Sequence, residues 1–332
     1  METDIKRASV LIAGAGGSIG SSIAERVAEM SPARVILAEH DEFHLFSIWE
    51  RLKERVEGTE IIPLLAKCDS QSFVEVCEQF KIDIVFNAAA YKHVGLSEMC
   101  APIYFQNNIK SALNLQNLAA NKGADYVLIS TDKAVEPENV MGQSKRLCEI
   151  ATLANANANG FSNKNLIVRF GNVLNSSGSV IPIFREQIRR GGPVTVTDKK
   201  ATRYFMSISE ATSLVIDCLQ IGDQIGVYTL DMGSPINIYS LACNMIEQAG
   251  YGVSHSNPGP NEVELKLIGL RKGEKLSEKL SYTDLVSTQN PAIKKAQERT
   301  AFSAANLTFA QAIADGEEPE LLQDFDWECG LA

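Results

Sequence analysis

The β-rich run Ala8-Ser9-Val10-Leu11-Ile12-Ala13 feeds directly into Gly14-Ala15-Gly16-Gly17-Ser18-Ile19-Gly20, and a helical pattern continues from there to about Met30. A strand that turns on glycines into a helix is the opening of a parallel βαβ unit, which leaves few folds open to the rest of the chain. Gly14 permits the tight turn, Gly17 lets the backbone approach a pyrophosphate, and Gly20 allows the helix to pack closely on the strand. A phosphate would rest on the helix amino end, beside Ser18 and Ile19.

The alternation continues as this opening requires. Arg34-Val35-Ile36-Leu37-Ala38 reads as a second strand, and Glu39 at its end stands at the spacing of a ribose-binding acid. A carboxylate there accepts the hydroxyls of NAD and repels the extra phosphate of NADP, so NAD is favoured, with His40 leaving room for the other. Glu60 to Leu65 is a third strand, followed by Asp69, expected beside the adenine, and a helix from about Ser70 to Phe80. Ile82 to Phe86 leads into Asn87-Ala88-Ala89-Ala90-Tyr91-Lys92, where small residues let the chain pass a flat cofactor and Lys92 reaches toward it. A helix from about Ala101 to Lys122 carries Asn108. The fold class is α/β, a doubly wound parallel sheet of Rossmann type with helices on both faces.

Asp125 to Ile129 is a further strand, and at its carboxyl end stand Ser130-Thr131-Asp132-Lys133-Ala134. That is where open α/β sheets place their ligands. After Asn139-Val140 comes Met141-Gly142-Gln143-Ser144-Lys145, which starts another helical pattern. Beyond it lie a strand at Leu166 to Phe170, the turn Gly171-Asn172-Val173-Leu174, and a helix beginning within Ser176 to Phe184 whose early residues include Val180 and Ile181. Then follow Thr202-Arg203-Tyr204-Phe205-Met206, a helix from Ile208 to Ile221, a strand at Val227 to Leu230, a helix from Ile236 to Ala249, and Leu270-Arg271-Lys272-Gly273-Glu274-Lys275. An adjacent Asp-Lys pair is commonly a solvated ion pair worth little. At a strand end opposite a dinucleotide turn, acid and base roles are the better reading.

These motifs, in this order from Gly14 to Lys275, resemble the UDP-N-acetylglucosamine 4,6-dehydratases of the extended short-chain dehydrogenase/reductases. Relatives usually carry Tyr-x-x-x-Lys; here Met141 stands in the tyrosine's place, which resembles the branch that retains configuration at the sugar's 5-position. A second departure is Gly95 after His93-Val94, where the family reads His-Val-Pro. The resemblance implies NAD-dependent conversion of UDP-N-acetylglucosamine to a 4-keto-6-deoxy sugar for glycan or polysaccharide biosynthesis, by a lyase that assembles as a homo-oligomer. It implies that Asn108 lies on the cofactor side, that Asn172, Val180 and Ile181 meet the substrate, and that Arg203, Arg271 and Glu274 complete the pocket, the arginines on phosphate.

In that chemistry Lys133 is the base at the 5-position, provided burial and the neighbouring Lys145 charge leave it a neutral amine. Asp132, as its neutral acid, donates to the departing 6-hydroxyl. Met141 cannot accept a proton, so the 4-hydroxyl, oriented by Thr131, gives its proton to Asp132, Lys133 or a water. Lys145 grips the nicotinamide ribose. A UDP-N-acetylhexosamine 4-epimerase needs the same cofactor without the acid-base pair, and a non-catalytic NAD-binding regulator is the reading from another class.

Composition narrows the rest. The net charge of −10 argues against nucleic-acid binding. Cysteines numbering 7 are scattered through apolar runs, and the 4 histidines lack ligand spacing, so neither a disulfide framework nor a metal site is expected. No signal layout or apolar run of membrane-spanning length is present, which predicts a cytoplasmic, free-standing catalytic portion. The expected division is a NAD-binding domain over 1–171, rejoined by 207–232, and a smaller substrate-binding α/β portion over 172–206 and 233–332. Residues 251–262 read as a loop, and the last thirty or so, acidic and weakly periodic, carry no functional reading.

Overall fold

The structure is a computed structural model that describes residues 5–176, 178–317, 322 and 325–328. Ser177, Cys329 and most of the acidic tail lie outside the described residues. In chain order the first elements are β1 Ser9–Ala13, α1 Ser18–Glu29, β2 Arg34–Glu39, α2 Glu42–Lys53, β3 Glu60–Leu65, α3 Gln71–Glu78, β4 Ile84–Asn87, α4 Val94–Ser97, α5 Ala101–Lys122 and β5 Asp125–Thr131. A single 3₁₀ turn at Asp132–Ala134 separates β5 from α6 Val140–Asn159. The second half holds β6 Asn165–Phe170, β7 Asn172–Val173, α7 Val180–Arg189, β8 Val194–Val196, β9 Thr202–Arg203, β10 Phe205–Met206, α8 Ile208–Ile221, β11 Ile225–Leu230, β12 Ile236–Asn237, α9 Ile238–Gln248, β13 Gly252–Ser254, β14 Glu262–Leu267, β15 Leu285–Ser287, β16 Ile293–Ala296 and α10 Ala304–Asp315.

Among the described residues the main sheet has nine strands in the order β15-β16-β11-β6-β5-β4-β1-β2-β3. All pairings from β3 to β11 are parallel, and β16 and β15 close one edge antiparallel. The chain winds outward in one direction from β1 to β3 and in the other from β4, so the strand order reverses between β1 and β4, the crevice where doubly wound sheets hold ligands. β1, β4 and β6 are buried along their whole length, as strands covered on both faces must be.

Two apolar cores follow from this. On one face Leu11, Val85, Leu128 and Ile167 pack under α3, α5, α6 and α10; on the other Val10, Ile12, Val127 and Val168 pack under α1, α2 and α8. A third, smaller core joins α7, α9, β8 and β14 through Phe184, Ile188, Val194, Ile246 and Val263. The region read as a loop at 251–262 contributes β13, parallel to β14.

The carboxyl-terminal stretch departs from the sequence reading. β15 and β16 extend the main sheet, and α10 packs on α5 and α6. Residues 285–315 thus add two strands and a helix to the main sheet and its helical layer. Ser303 caps α10 in a reciprocal box with Asn306, a signal that the sequence reading passed over.

Candidate active site

The glycine turn is built as its spacing requires. Gly14 has φ +71, and a Cβ there would lie 2.8 Å from the carbonyl carbon and oxygen of Ala88 and from the Ala89 nitrogen, so the ends of β1 and β4 touch only because this residue is glycine. A Cβ on Gly20 would stand 2.0 Å from the Gly14 oxygen, which locks α1 against the strand end. Gly17 is the N-cap of α1, and no side chain caps the helix there. A turn that a methyl group would fill, a helix amino end behind it and an acid at the neighbouring strand end suit a dinucleotide.

That acid is Glu39, which is buried and accepts hydrogen bonds from Gly16 N at Oε2 (3.0 Å) and from His40 N (2.8 Å) and Asp41 N (3.1 Å) at Oε1. The carboxylate keeps acceptor capacity on Oε2 for a ribose hydroxyl. His40 does not point away from it: its Nδ1 lies 2.8 Å from Glu39 Oε1. Asp69 is half-buried just before the N-cap Ser70 of α3, and Ala88, Ala89 and Ala90 are half-buried at the end of β4. Lys92 is exposed on the following loop.

Asn108 is buried on α5. Its Oδ1 accepts from Tyr91 N (2.8 Å), and its Nδ2 donates to Tyr91 O (3.2 Å) and Ser144 Oγ (2.9 Å), fastening the loop after β4 to α6.

β5 delivers the central group. Asp132 is fully buried in the turn after the strand; its Oδ1 accepts from Thr131 Oγ1 (2.9 Å) and from Lys133 Nζ (2.9 Å), while Oδ2 is buried with no partner among the described residues. Lys133 also donates to Asn172 Oδ1 (3.2 Å), so β7 reaches the same ammonium from the substrate side. The pair is not a solvated surface bridge, since the Lys133 side chain keeps 18% exposure and the Asp132 side chain none.

Met141 and Lys145 project from the first turns of α6, which Asn139 caps by accepting from Gly142 N (2.8 Å). Both are buried, and Lys145 donates to Ile129 O (2.7 Å). Burial lowers the Lys145 pKa. The expectation that Lys145 depresses Lys133 does not hold. Burial does push Lys133 down, but the carboxylates of Asp132 and Glu278 outweigh it and hold its pKa above the ordinary value. The two ammonium groups serve opposite partners, one on the β5 backbone and one on a pair of acids.

Glu278 is the residue that sequence reasoning missed. Its Oε1 lies 3.6 Å from Lys133 Nζ and 4.0 Å from Arg203 Nε, and its Oε2 is buried and unpartnered among the described residues. It follows the 271–275 motif in a segment without regular structure, so no periodicity marks it. Only the return of that segment over β5 brings it to the site.

That return is well fastened. Lys275 donates to Val135 O (2.9 Å) and to Glu136 O, Asn139 Nδ2 donates to Gly273 O (2.9 Å), and Arg203 donates to the carbonyls of Thr202 (2.7 Å), Lys275 (2.8 Å) and Leu276 (3.2 Å). Arg203 thus spends most of its fork on backbone. Arg271 is exposed, and Glu274 accepts from its backbone nitrogen (3.1 Å). Val180 and Ile181 are half-buried in the first turn of α7. Among the described residues no cluster of acids, histidines or cysteines has metal-ligand geometry.

A glycine turn after β1 and the Thr131-Asp132-Lys133 turn after β5, joined by Asn172 of β7, thus lie at the carboxyl ends of parallel strands, and residues 10–298 match the family described as polysaccharide biosynthesis protein. The chain belongs to that family. Its relatives include the capsular polysaccharide biosynthesis protein CapD of Staphylococcus aureus, 40% identical over 281 residues, which are 83% of this chain and 45% of CapD. The chain therefore spans about half the length of that relative. It is also similar to a UDP-glucose 4-epimerase of Rickettsia canadensis, 31% identical over 95% of this chain and 89% of the other. Among solved structures, Pen from Bacillus thuringiensis superposes with a TM-score of 0.74 at 30% identity, over 83% of this chain and 84% of Pen. The polysaccharide biosynthesis family member has the extended short-chain dehydrogenase/reductase fold, that of nucleotide-sugar-modifying enzymes. Among its described residues no helix is long and apolar enough to cross a membrane.

Proposed function

We propose that this protein is a UDP-N-acetylglucosamine 4,6-dehydratase that uses NAD. When bound, NAD would supply the hydride chemistry, oxidation at the 4-position of the sugar and reduction at the 6-position. Gly14, Gly17, Ser18 and Gly20 would hold its pyrophosphate, Glu39 its adenosine ribose and Lys145 its nicotinamide ribose.

The observation that carries the reading is the buried contact between Lys133 Nζ and Asp132 Oδ1 at 2.9 Å, at the end of β5. Water loss across the 5- and 6-positions needs one group to take a proton from carbon and another to give one to oxygen. Lys133 takes the first part and Asp132 the second. Thr131 Oγ1, 2.9 Å from Asp132 Oδ1, orients the 4-hydroxyl and passes its proton to that carboxylate, since the Met141 thioether accepts none. Asp132 then carries the same proton to the 6-hydroxyl. Asn172, on Lys133 Nζ, keeps the amine directed at the substrate side.

The test is the product formed from UDP-N-acetylglucosamine in deuterated water, read by mass spectrometry and proton NMR. Loss of water mass with solvent deuterium at the 5-position is expected. The similarity to a UDP-glucose 4-epimerase over nearly the whole chain favours a second reading, 4-epimerisation. An epimer of unchanged mass would establish that one instead.

A further inference from the structure

Glu278 has no part in the chemistry described so far, yet it is buried beside Lys133 with its Oε2 unpartnered among the described residues. A lysine acts as a base only as the neutral amine, because the ammonium carries three donors and no lone pair. Here the ammonium is stabilised by two acids, so something must remove a proton from it before carbon can be deprotonated. Three oxygens surround Nζ: Asp132 Oδ1 at 2.9 Å, Asn172 Oδ1 at 3.2 Å and Glu278 Oε1 at 3.6 Å. Asn172 offers an amide oxygen, which is too weak a base. Asp132 already accepts from the Thr131 hydroxyl and is engaged with the sugar hydroxyls. Glu278 alone has no other engagement, with only Arg203 Nε facing it at 4.0 Å and its Oε2 buried and unpartnered among the described residues.

We propose that Glu278 is the resting place of the Lys133 proton: its carboxylate takes that proton before the 5-position is attacked and returns it at the end of the cycle. The proposal rests on the dehydratase reading. Once substrate binding draws the 3.6 Å gap to hydrogen-bond length, one N–H bond of Lys133 breaks and one O–H bond forms on Glu278, leaving a neutral amine and a neutral acid. Exclusion of water by the bound sugar favours this neutral pair over the ion pair, since burial penalises the charged forms of both groups. The amine takes the proton from C5, the C–H electron pair becomes the C5–C6 double bond, and the 6-hydroxyl leaves as water with the proton held on Asp132. As the 6-position is reduced, the Lys133 ammonium returns a proton to C5 and Glu278 gives its proton back to the amine. Every group ends as it began.

Glu278 is a positioning and proton-holding residue that works through Lys133, and the substitution Glu278→Gln keeps its shape while removing its basicity. With UDP-N-acetylglucosamine in deuterated water, this variant is expected to slow water loss and deuterium entry at the 5-position together by about 10²- to 10⁴-fold. UDP-sugar affinity by calorimetry should change little, and Glu278→Asp should recover part of the rate. A second readout needs no turnover: competitive acetylation of the folded protein across pH, followed on the Lys133 peptide by mass spectrometry. The acetylation midpoint should fall in Glu278→Gln, which loses a carboxylate facing the ammonium, and stay near wild type in Glu278→Asp. An unchanged midpoint overturns the assignment whatever the turnover, and undiminished turnover in Glu278→Gln overturns the relay. Should the wild-type protein give an epimer of unchanged mass, the dehydratase reading fails while the acetylation midpoint still decides whether Glu278 governs the Lys133 proton.

Discussion

Lys133 and Lys145 are twelve positions apart in the chain and enter the site from different elements, and their surroundings make them different bases. Lys145 gives its ammonium to a backbone carbonyl, and burial lowers its pKa. Lys133 is half-buried, but the carboxylates of Asp132 and Glu278 hold its pKa above the ordinary value. In the proposed chemistry the contrast divides the work: Lys145 would hold the cofactor and Lys133 would react. Lys133→Ala should therefore abolish water loss, a fall of at least about 10²-fold, and leave NAD affinity by calorimetry within a few-fold of wild type. Undiminished turnover would remove Lys133 from the role of base. Aspartate, threonine and lysine at the strand end were legible from their adjacency, but the sign of the Lys133 perturbation was not, because it depends on Glu278, 145 positions away.

Among elements, the strand-turn-helix units carry the site, and the glycine turn is the least forgiving of them. A Cβ at position 20 would meet the Gly14 oxygen at 2.0 Å, so Gly20→Ala must tilt α1 or open the turn. Overpacking of this kind costs about 1–3 kcal/mol. The expected result is a folded protein by circular dichroism with NAD affinity reduced by at least about tenfold, one decade for each 1.4 kcal/mol. Both faces of this unit were readable because an apolar run, a glycine spacing and a helical period occur together within twenty-odd residues. α10 was not, although it packs on α5 and α6, because Leu307, Phe309, Ile313 and the alanines spread apolar character around the helix without one strong stripe.

For the molecule as a whole, a buried ionic cluster ties the elements together beneath the site. Arg169 in β6 donates Nε and Nη2 to Glu149 of α6 (2.7 and 2.6 Å) and Nη1 and Nη2 to Glu298 beyond β16 (2.5 and 2.9 Å). Arg146 joins Glu149 (2.9 Å), stacks on Tyr282 and donates Nε to the Trp327 carbonyl (2.8 Å), and Ser130 beside the Thr131-Asp132-Lys133 turn donates to Glu149 (2.6 Å). Burial alone would raise the Glu149 pKa, but the Arg169 and Arg146 charges and hydrogen bonds bring it down from 4.5 to about 2. A carboxylate depressed by folding stabilises the native state above its unfolded value and loses that contribution as pH falls through the folded value. Stability to urea should accordingly drop between pH 4.5 and about 2, and Glu149→Gln should flatten that drop. The variant should also lose about 3–5 kcal/mol near neutral pH, having left buried arginines short of a partner. A profile as steep in the variant as in wild type would show that other groups govern acid unfolding.

Local order and tertiary order divide this protein along a physical line. The sequence by itself determined the doubly wound sheet, the dinucleotide turn and the strand-end Thr131-Asp132-Lys133, because each rests on neighbours within a few tens of residues: steric freedom at glycine, apolar period, adjacency. Only the tertiary structure decided that Glu278 completes the Lys133 environment, that Asn108 and Arg203 fasten loops, and that 285–315 rejoins the main sheet. Those outcomes depend on desolvation and on contacts between segments from tens to more than a hundred residues apart, and electrostatic influence in a buried site follows distance in space, which no local pattern encodes.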